Sequence, residues 1–233
     1  MIRPEEEYSE AYFSGHAKNY LSKPSRFWKN RIKNIIELIS PDKGDEILDL
    51  GTGIGSICIE SSKYGASCIG VDFSEEAIKI AKTLFKRFGR GEAKFIKADV
   101  FDLHMLDNRK FNKIVCADLV EHLSQEVFDR MLKECKRLLE KDGRIFIYSP
   151  YPSHYIEKLK SKGLLVKKDE SHIGLINMLN IEKTLDENGF EIEKIKFLPT
   201  HLPLISMLEK AFMHIPLIGG LFKRRICITA KNR

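Results

Sequence analysis

Short apolar runs alternate with longer amphipathic stretches from residue 46 to the end of the chain. Apolar runs bounded by glycine or polar residues are typical of β-strands, whereas apolar positions three or four residues apart are typical of helices. The predicted strands are Glu46–Leu50, Ser67–Val71, Lys94–Ala98, Lys113–Ala117, Arg144–Ser149, Glu191–Phe197 and Arg225–Ala230. The alternation predicts an α/β fold, a doubly wound, seven-stranded, mostly parallel sheet with helices on both faces.

Three stretches between the strands have the apolar spacing of a helix. One helix is predicted over Glu75–Phe88, after an N-cap at Ser74, and a second over Gln125–Glu140. A third is predicted between Asn180, a residue type that caps helix starts, and Gly189, a residue type that follows helix ends. Ligands bind such folds at the carboxyl ends of the strands, so the loops that follow the strands are expected to hold the site.

The chain is predicted to form one domain with two additions to the α/β core. Residues 1–42 are expected to be an N-terminal helical cap, broken near Pro24, and residues 43–197 to be the core. Residues 198–224 form an apolar insert before the last strand. A chain of 233 residues is long enough to bury a sizeable core without disulfides or metals.

Composition indicates a soluble globular protein, with 43% hydrophobic and 31% charged residues and a formal net charge of +6. Basic and acidic residues are interleaved, so no basic stripe favours nucleic acid as a partner. The five cysteines form no C-x-x-C pair and lie in apolar runs, which is typical of reduced core thiols. Because the chain also has no signal-peptide pattern and no apolar run of about eighteen residues, we expect a cytoplasmic protein.

A glycine-rich turn follows the first strand, in the sequence Asp49-Leu-Gly-Thr-Gly-Ile-Gly55. Glycines allow unusual backbone angles and let a ligand approach the main chain closely. The spacing of Gly51, Gly53 and Gly55 departs from the dinucleotide fingerprint G-x-G-x-x-G, because Ser56 occupies its third glycine position, which disfavours an NAD-dependent oxidoreductase. The stretch resembles the first motif of the S-adenosylmethionine-dependent methyltransferases, which implies their Rossmann-like fold and their cofactor.

Later strand ends support this resemblance. Asp72, followed by Phe73, ends the second strand, where a carboxylate can accept both ribose hydroxyls of the cofactor. The resemblance further implies that Asp99 and the backbone N–H of Val100 bind the adenine, and that Asp118 flanks the methionine part of the cofactor. The alternative for Asp99 and Asp118 is that each caps its own loop.

Asp118, Glu121 and His122 are spaced to share one face of a helical turn after the fourth strand. The stretch resembles the E-x-x-E-H motif of the ubiquinone-biosynthesis O-methyltransferases and of the small-RNA 3′-terminal 2′-O-methyltransferases, with Asp118 replacing the first glutamate. The resemblance implies that His172 joins these residues and that the four bind Mg²⁺, Mn²⁺ or Zn²⁺. The alternative is that Glu121 and His122 hydrogen-bond only the loop or the substrate.

His122, Glu121 and His172 are the candidate catalytic residues. An oxygen acceptor must lose a proton on methylation, and histidine titrates near neutral pH. Tyr20, in the N-terminal cap, is expected near the cofactor, with a packed aromatic side chain as the alternative. We therefore predict an S-adenosylmethionine-dependent methyltransferase that acts on an oxygen of a small or lipophilic acceptor.

The insert between Leu202 and Phe222 contains a single acid, Glu209, and is followed directly by three basic residues. Such a segment indicates a cap over an apolar substrate pocket or a peripheral membrane contact through residues 202–225. A dimer contact or additional core are the alternatives, and the oligomeric state is left open. Two other functions are also left open: RNA 3′-terminal 2′-O-methylation, and a catalytically silent, cofactor-binding partner subunit.

Overall fold

The computed structural model describes residues 10–22, 24–161, 163 and 180–233. A seven-stranded sheet runs through the centre in the order β3-β2-β1-β4-β5-β7-β6. Strands β1 to β5 pair in parallel, whereas β7 runs antiparallel to both β5 and β6. The strands are β1 Glu46–Leu50, β2 Ser67–Asp72, β3 Ala93–Lys97, β4 Phe111–Ala117, β5 Leu139–Pro150, β6 Phe190–Leu198 and β7 Arg225–Asn232. The predicted fold class is thus confirmed.

Helices surround the sheet, several of them at the places that the sequence predicts. The α-helices of the described residues are α1 Glu10–Leu21, α2 Arg26–Ile39, α3 Ser56–Ser62, α4 Glu75–Phe88, α5 Gln125–Leu138, α6 Tyr155–Ser161, α7 Ile181–Glu187 and α8 Pro203–Phe212. Those at predicted places are the helices of the N-terminal cap, α4, α5 and α7. The hydroxyl of Ser74 accepts the Ala77 N–H at 3.2 Å, as expected of an N-cap. Helix α5 ends two residues before the predicted Glu140, because β5 already begins at Leu139.

The sheet carries a hydrophobic core on each face. Adjacent residues of a strand point to opposite faces, so Ile47 packs with Ile35 and Ile39 of α2, whereas its neighbour Leu48 packs with Phe128 of α5. Leu48 and Ile47 are fully buried. Strands covered on both faces must be apolar at nearly every position, which explains the continuous apolar runs in the sequence.

The antiparallel strand β7 brings its first residue to the functional edge of the sheet. In the register of β5 and β7, Arg225 pairs with Pro150, the last residue of β5. A strand that runs opposite to β5 begins where β5 ends, so Arg225 lies at the same edge as the carboxyl ends of β1 and β4. This edge is where ligands bind in open α/β sheets.

The N-terminal helices pack over α3 and α4. Phe13 and Trp28 are buried in a cluster with Ile54 and Ile59, which lie beside and within α3. Among the described residues, none of the helices has both the length and the apolar character needed to span a bilayer.

Candidate functional site

The glycine-rich turn between β1 and α3 adopts a backbone that favours glycine. Gly51, Gly53 and Gly55 have φ angles of 69°, 52° and 77°, all in the left-handed region. A Cβ at Gly55 would lie 2.9 Å from the Phe95 ring, so packing also requires a glycine there. A Cβ at Gly53 would have no neighbour within 4 Å, so that face of the turn is open. An open, glycine-lined turn at a strand end can accept a ligand against its main chain.

Asp49, at the end of β1, is a buried carboxyl beneath this turn. Its Oδ2 accepts the Thr52 hydroxyl at 2.7 Å, whereas its buried Oδ1 has no hydrogen-bond partner among the described residues. Burial raises the pKa of Asp49 to about 7, against the Thr52 hydrogen bond and the positive charge of Arg31, which both lower it. A buried acceptor without a partner is costly, and a ligand with a donor group would satisfy it.

Asp72, at the end of β2, ties the glycine turn to the start of α4. Its Oδ2 accepts the Gly53 N–H at 2.8 Å, and its Oδ1 accepts the Ser74 N–H at 2.9 Å. Burial raises the pKa of this carboxyl from its ordinary value, although both backbone hydrogen bonds lower it. Each carboxylate oxygen keeps a second lone pair, which leaves acceptors for the predicted ribose contact.

Phe73, Asp99 and Val100 follow the ends of β2 and β3 at the same edge. The register pairs Asp72 with Lys97, the last residue of β3, so the loops after the two strands are neighbours. Phe73 and Asp99 are half-buried and Val100 is buried. The backbone carbonyl of Asp99 accepts the Asp102 N–H at 3.0 Å. The structure therefore brings these predicted residues beside Asp72.

Asp118, after β4, lies between two guanidinium groups. Its Oδ2 accepts a hydrogen bond from Nε of Arg31, and its Oδ1 accepts one from Nη1 of Arg225. Burial alone would raise its pKa, but the positive charges of Arg225 and Arg31 lower the pKa of Asp118 to about 2. The residue has a φ of 52°, which aspartate tolerates better than most side chains. Asp118 is therefore an ionised carboxylate with two counterions.

Glu121 lies in a 3-10 turn, Val120–His122, and its carboxyl is buried. Its Oε2 accepts the hydroxyl of Ser149 at 2.8 Å. Burial, followed by the nearby negative charge of Asp118, raises the pKa of Glu121 to about 8. At neutral pH this side chain is therefore mostly a neutral carboxylic acid that can donate as well as accept a hydrogen bond.

The predicted metal quartet is not assembled in the part of the chain that the structure describes. No group of three or more His, Cys, Asp or Glu side chains within 10–22, 24–161, 163 and 180–233 is arranged to hold an ion. Asp118 already has two guanidinium partners, Arg31 and Arg225, which compete with a cation for its two oxygens. His172 lies outside the described residues. The described residues thus give the metal no support, and the quartet stays a prediction.

Tyr20, predicted to lie near the cofactor, makes two contacts with helices α3 and α4. Its hydroxyl donates to Oε1 of Glu60 at 2.9 Å, near the end of α3, and its ring contacts Phe88 edge-on at the end of α4. Both contacts are at the opposite ends of these helices from the glycine turn. These contacts favour the alternative of a packed aromatic side chain, and the cofactor contact stays a prediction.

Arg31 and Arg225 belong to this site but were missed by sequence reasoning, and His16 lies near both Arg31 and Asp118. A signal for Arg31 does exist, because it shares one face of α2 with the buried residues Trp28 and Ile35. His16 is half-buried and contacts the Trp28 ring edge-on at 5.5 Å. Burial, and then the charge of Arg31, lower the pKa of His16, so it is neutral at physiological pH. No local pattern indicated Arg225, whose position depends on the antiparallel pairing of β7.

The raised pKa of Glu121 predicts how stability depends on pH. The folded-state pKa of about 8 lies above the ordinary value of 4.5, so the folded protein holds the proton more tightly than the unfolded chain. The corresponding stability is present below the ordinary pKa and is lost as pH rises towards the folded value. We expect Glu121→Gln to remove a slope on the order of 1 kcal/mol per pH unit from the free energy of unfolding in this range.

Urea denaturation at several pH values between about 5 and 8 measures this slope. Glu126→Gln, at an exposed position of α5, is the matched control and should keep the wild-type slope. A Glu121→Gln variant with the same pH dependence as the wild type would contradict the protonated state of Glu121.

Comparisons with known proteins agree with this geometry. The model of the mycolic acid cyclopropane synthetase family matches residues 1–208. A sphingolipid C9-methyltransferase of Candida albicans is 29% identical over 123 residues, which cover 51% of this chain and 24% of that protein. A ubiquinone biosynthesis O-methyltransferase of Coxiella burnetii is 30% identical over 146 residues, which cover 57% of this chain and 59% of that protein. The matches thus span less than two thirds of either relative.

Solved structures show the same fold. The magnesium protoporphyrin IX methyltransferase of Synechocystis, with bound S-adenosylhomocysteine, superposes with a TM-score of 0.68 at 17% identity, over 98% of both chains. A methyltransferase of Archaeoglobus fulgidus superposes with a TM-score of 0.69 at 21% identity, over 95% of this chain and all of that one. With the family match over most of its length, the chain belongs to the mycolic acid cyclopropane synthetase family of S-adenosylmethionine-dependent methyltransferases.

Proposed function

We propose that this methyltransferase acts on an oxygen atom of a small, lipophilic acceptor. One observation carries the acceptor chemistry: two buried N–H donors beside Asp118, Nη1 of Arg31 and Nε of Arg225, have no hydrogen-bond partner among the described residues. Buried donors without partners are costly, and an acceptor with an oxygen at this point would satisfy them. A hydrocarbon acceptor has no group that could pair with either donor.

The residues of the glycine turn fit the cofactor. Gly53 offers an open main-chain surface, Asp49 a buried acceptor, and Asp72 two carboxylate oxygens at the neighbouring strand end. In this proposal Asp72 binds the ribose, Asp99 and Val100 hold the adenine with Phe73 beside them, and Asp49 and Asp118 face the methionine part. When bound, S-adenosylmethionine supplies an electrophilic methyl group on a sulfonium. The protein then aligns the acceptor oxygen and excludes water, which is the main contribution required for a displacement of this kind.

The proton of the acceptor hydroxyl needs a base. Glu121 holds its own proton near neutral pH, so it is suited to donate a hydrogen bond rather than to remove a proton. We propose His122, which follows Glu121 in the same turn, as the base, with His172 as a second candidate. His16, neutral and near Asp118 and Arg31, is a further polar group on this side.

The names of the matching family and relatives, and the apolar character of the insert, support a lipophilic acceptor. The family model is named for mycolic acid, and two relatives are named for a sphingolipid and for ubiquinone biosynthesis. The insert is apolar, and its His201 contacts Phe27 at the start of α2, the helix that carries Arg31. The proposal includes a cytoplasmic location, in keeping with five cysteines that are all free and buried.

Methyl transfer from labelled S-adenosylmethionine tests the proposal. The acceptors offered are an alkylated catechol, a sphingolipid, an unsaturated phospholipid and a small RNA, each with wild-type protein. We expect label in the alkylated catechol as a methyl ether, identified by mass spectrometry. His122→Ala should lower turnover by about 100-fold or more, while its affinity for S-adenosylhomocysteine stays at the wild-type value. Label only on carbon, or only in RNA, would contradict the proposed acceptor.

A chelator arm of the same assay addresses the metal hypothesis. Because Asp118 has two guanidinium partners, we expect full turnover in excess chelator. Loss of turnover in chelator, with recovery on adding Mg²⁺, Mn²⁺ or Zn²⁺ and with cofactor binding unchanged, would restore a metal at Asp118, Glu121, His122 and His172.

A further inference from the structure

Apolar exposure in this protein is concentrated on the insert. Among the described residues, nine exposed large apolar side chains fall between 202 and 218, whereas four fall elsewhere. The nine, which together form what we call the insert face, are Leu202, Leu204, Ile205, Met207, Leu208, Phe212, Ile215, Leu217 and Ile218. Single exposed apolar residues are ordinary, but a contiguous group of this size marks an interaction surface.

The polarity of α8 is inverted relative to an ordinary surface helix. Glu209, the one acid of the insert, is 1% exposed, whereas Leu204 is 78% exposed and Met207 is 67% exposed. A helix on a globular surface normally buries its leucines and exposes its charges. The apolar side chains on the outward face of α8 therefore do not pack into the core of this chain. This argues against the alternative that the insert is additional core.

Hydrogen bonds hold α8 in this orientation. Glu209 accepts the Thr200 N–H through Oε2, and its Oε1 lies 3.1 Å from Nε2 of the fully buried His154. Nδ1 of His154 accepts the Ile156 N–H at 3.2 Å, so the ring proton is on Nε2 and is donated to Glu209. This buried anchor connects α8 to the start of α6. The outward direction of the insert face is therefore built into the structure.

The tip of the insert carries a strained apolar residue. Leu217 is fully exposed and has a φ of 69°, in the left-handed region that leucine rarely adopts. Residues held in such sparsely populated conformations cluster at functional sites. An apolar tip that projects fully into solvent suits insertion into an apolar phase.

The charges around the insert face point to an anionic surface as its counterpart. The charged residues of 198–224 besides the buried Glu209 are all basic: Lys210, Lys223 and Arg224. Arg224 is ion-paired with the buried Glu157, so the two lysines are the charges that remain for an anionic partner. Lys210 is exposed, and Nζ of Lys223 lies 4.1 Å from the centre of the Phe197 ring. Apolar side chains flanked by lysines, with no exposed acid in the same segment, are typical of surfaces that bind anionic lipid.

We propose that the insert face binds an anionic lipid bilayer and takes the lipophilic acceptor from it. The insert leads directly into Arg225, which contacts Asp118. At the other end of the insert, the His201 ring lies 5.2 Å from the ring of Phe27, at the start of α2. Both ends of the insert therefore adjoin the elements that carry Arg31 and Arg225. Bilayer binding stands by itself, whereas uptake of the acceptor rests on the proposed function.

Vesicle sedimentation tests the binding of the full chain. Vesicles of phosphatidylcholine alone are compared with vesicles in which about one third of the lipid is phosphatidylglycerol. We expect binding to the mixed vesicles, weakened by about tenfold or more in Leu204→Ser/Leu208→Ser, since both side chains are exposed and their replacement leaves the core intact. Lys210→Glu should reduce only the preference for the anionic vesicles. Tyr64→Ser and Met105→Ser, at exposed apolar positions outside the insert, are the controls and should bind like the wild type.

The outcomes separate this inference from the proposed function. Absence of binding to both vesicles, or equal binding by the wild type and the leucine variant, would overturn the docking surface. A wild-type dimer that becomes a monomer in the leucine variant, without vesicle binding, would instead make the insert face an interface between two copies. Methylation of a detergent-dispersed acceptor without vesicle binding would leave the proposed function intact and reject the docking. Vesicle binding without methylation of any acceptor would support the docking surface and reject the proposed function.

Discussion

Asp72→Ala is expected to weaken the binding of S-adenosylhomocysteine by about 1.5–3 kcal/mol, or roughly 10- to 150-fold. The carboxylate already orders the turn by accepting the N–H groups of Gly53 and Ser74. In the proposed complex it also accepts the ribose hydroxyls through charge-assisted hydrogen bonds, which are stronger than neutral ones. The variant therefore loses both the ligand contact and the preformed shape of the turn.

Isothermal calorimetry with the demethylated product measures this affinity without turnover. Asp107→Ala removes a carboxylate that pairs with Arg137 at an exposed position, and it should bind the product like the wild type. Circular dichroism of both variants checks that the fold persists. An Asp72→Ala variant with wild-type affinity would remove Asp72 from the cofactor site.

Asp118→Asn is expected to lower the free energy of unfolding by about 2–4 kcal/mol near neutral pH. The substitution leaves the two largely buried guanidinium groups of Arg31 and Arg225 next to each other without their counterion. Asparagine is chosen because it tolerates the φ of 52° at this position, so backbone strain does not add to the effect. Urea denaturation with linear extrapolation measures the difference.

The sign of the pH dependence follows from the lowered pKa of Asp118. Its folded-state pKa of about 2 lies below the ordinary 3.8, so its contribution to stability is present above the ordinary value and is lost as pH falls towards the folded one. Asp118→Asn should therefore approach the wild-type stability only in strong acid. This direction is opposite to that expected for Glu121.

Two further variants show whether the buried charges cause the loss of stability expected for Asp118→Asn. Asp107→Asn breaks an exposed ion pair with Arg137 and should cost less than about 1 kcal/mol. Replacing Arg31 and Arg225 by methionine together with Asp118→Asn should recover much of the loss, because no uncompensated charge remains buried. A loss for Asp118→Asn no larger than that of the exposed pair would show that the cluster does not stabilise the fold.

Local features of the chain are sufficient for most of the architecture. The bounds of β1 and α4 agree with the residues predicted from periodicity and capping, because apolar spacing and an N-cap serine act over a few neighbouring positions. The glycine turn and the family follow from the same kind of signal, since Gly51, Gly53 and Gly55 are close together in the chain. The strand ends that carry Asp72 and Asp99 follow once the sheet is known to be parallel.

The sequence by itself therefore determined the fold class, the cofactor and the edge of the sheet where the cofactor is expected. Only the tertiary structure decided the charge and protonation state of the carboxyl groups that follow β4. Asp118 meets Arg31 and Arg225 across 87 and 107 positions of the chain, contacts that depend on the packing of α2 and on the antiparallel course of β7. The spacing that suggested a metal is local, whereas these counterions are not. In the same way, the pairing of Glu209 with His154, 55 positions apart, determines that the leucines of α8 face outwards.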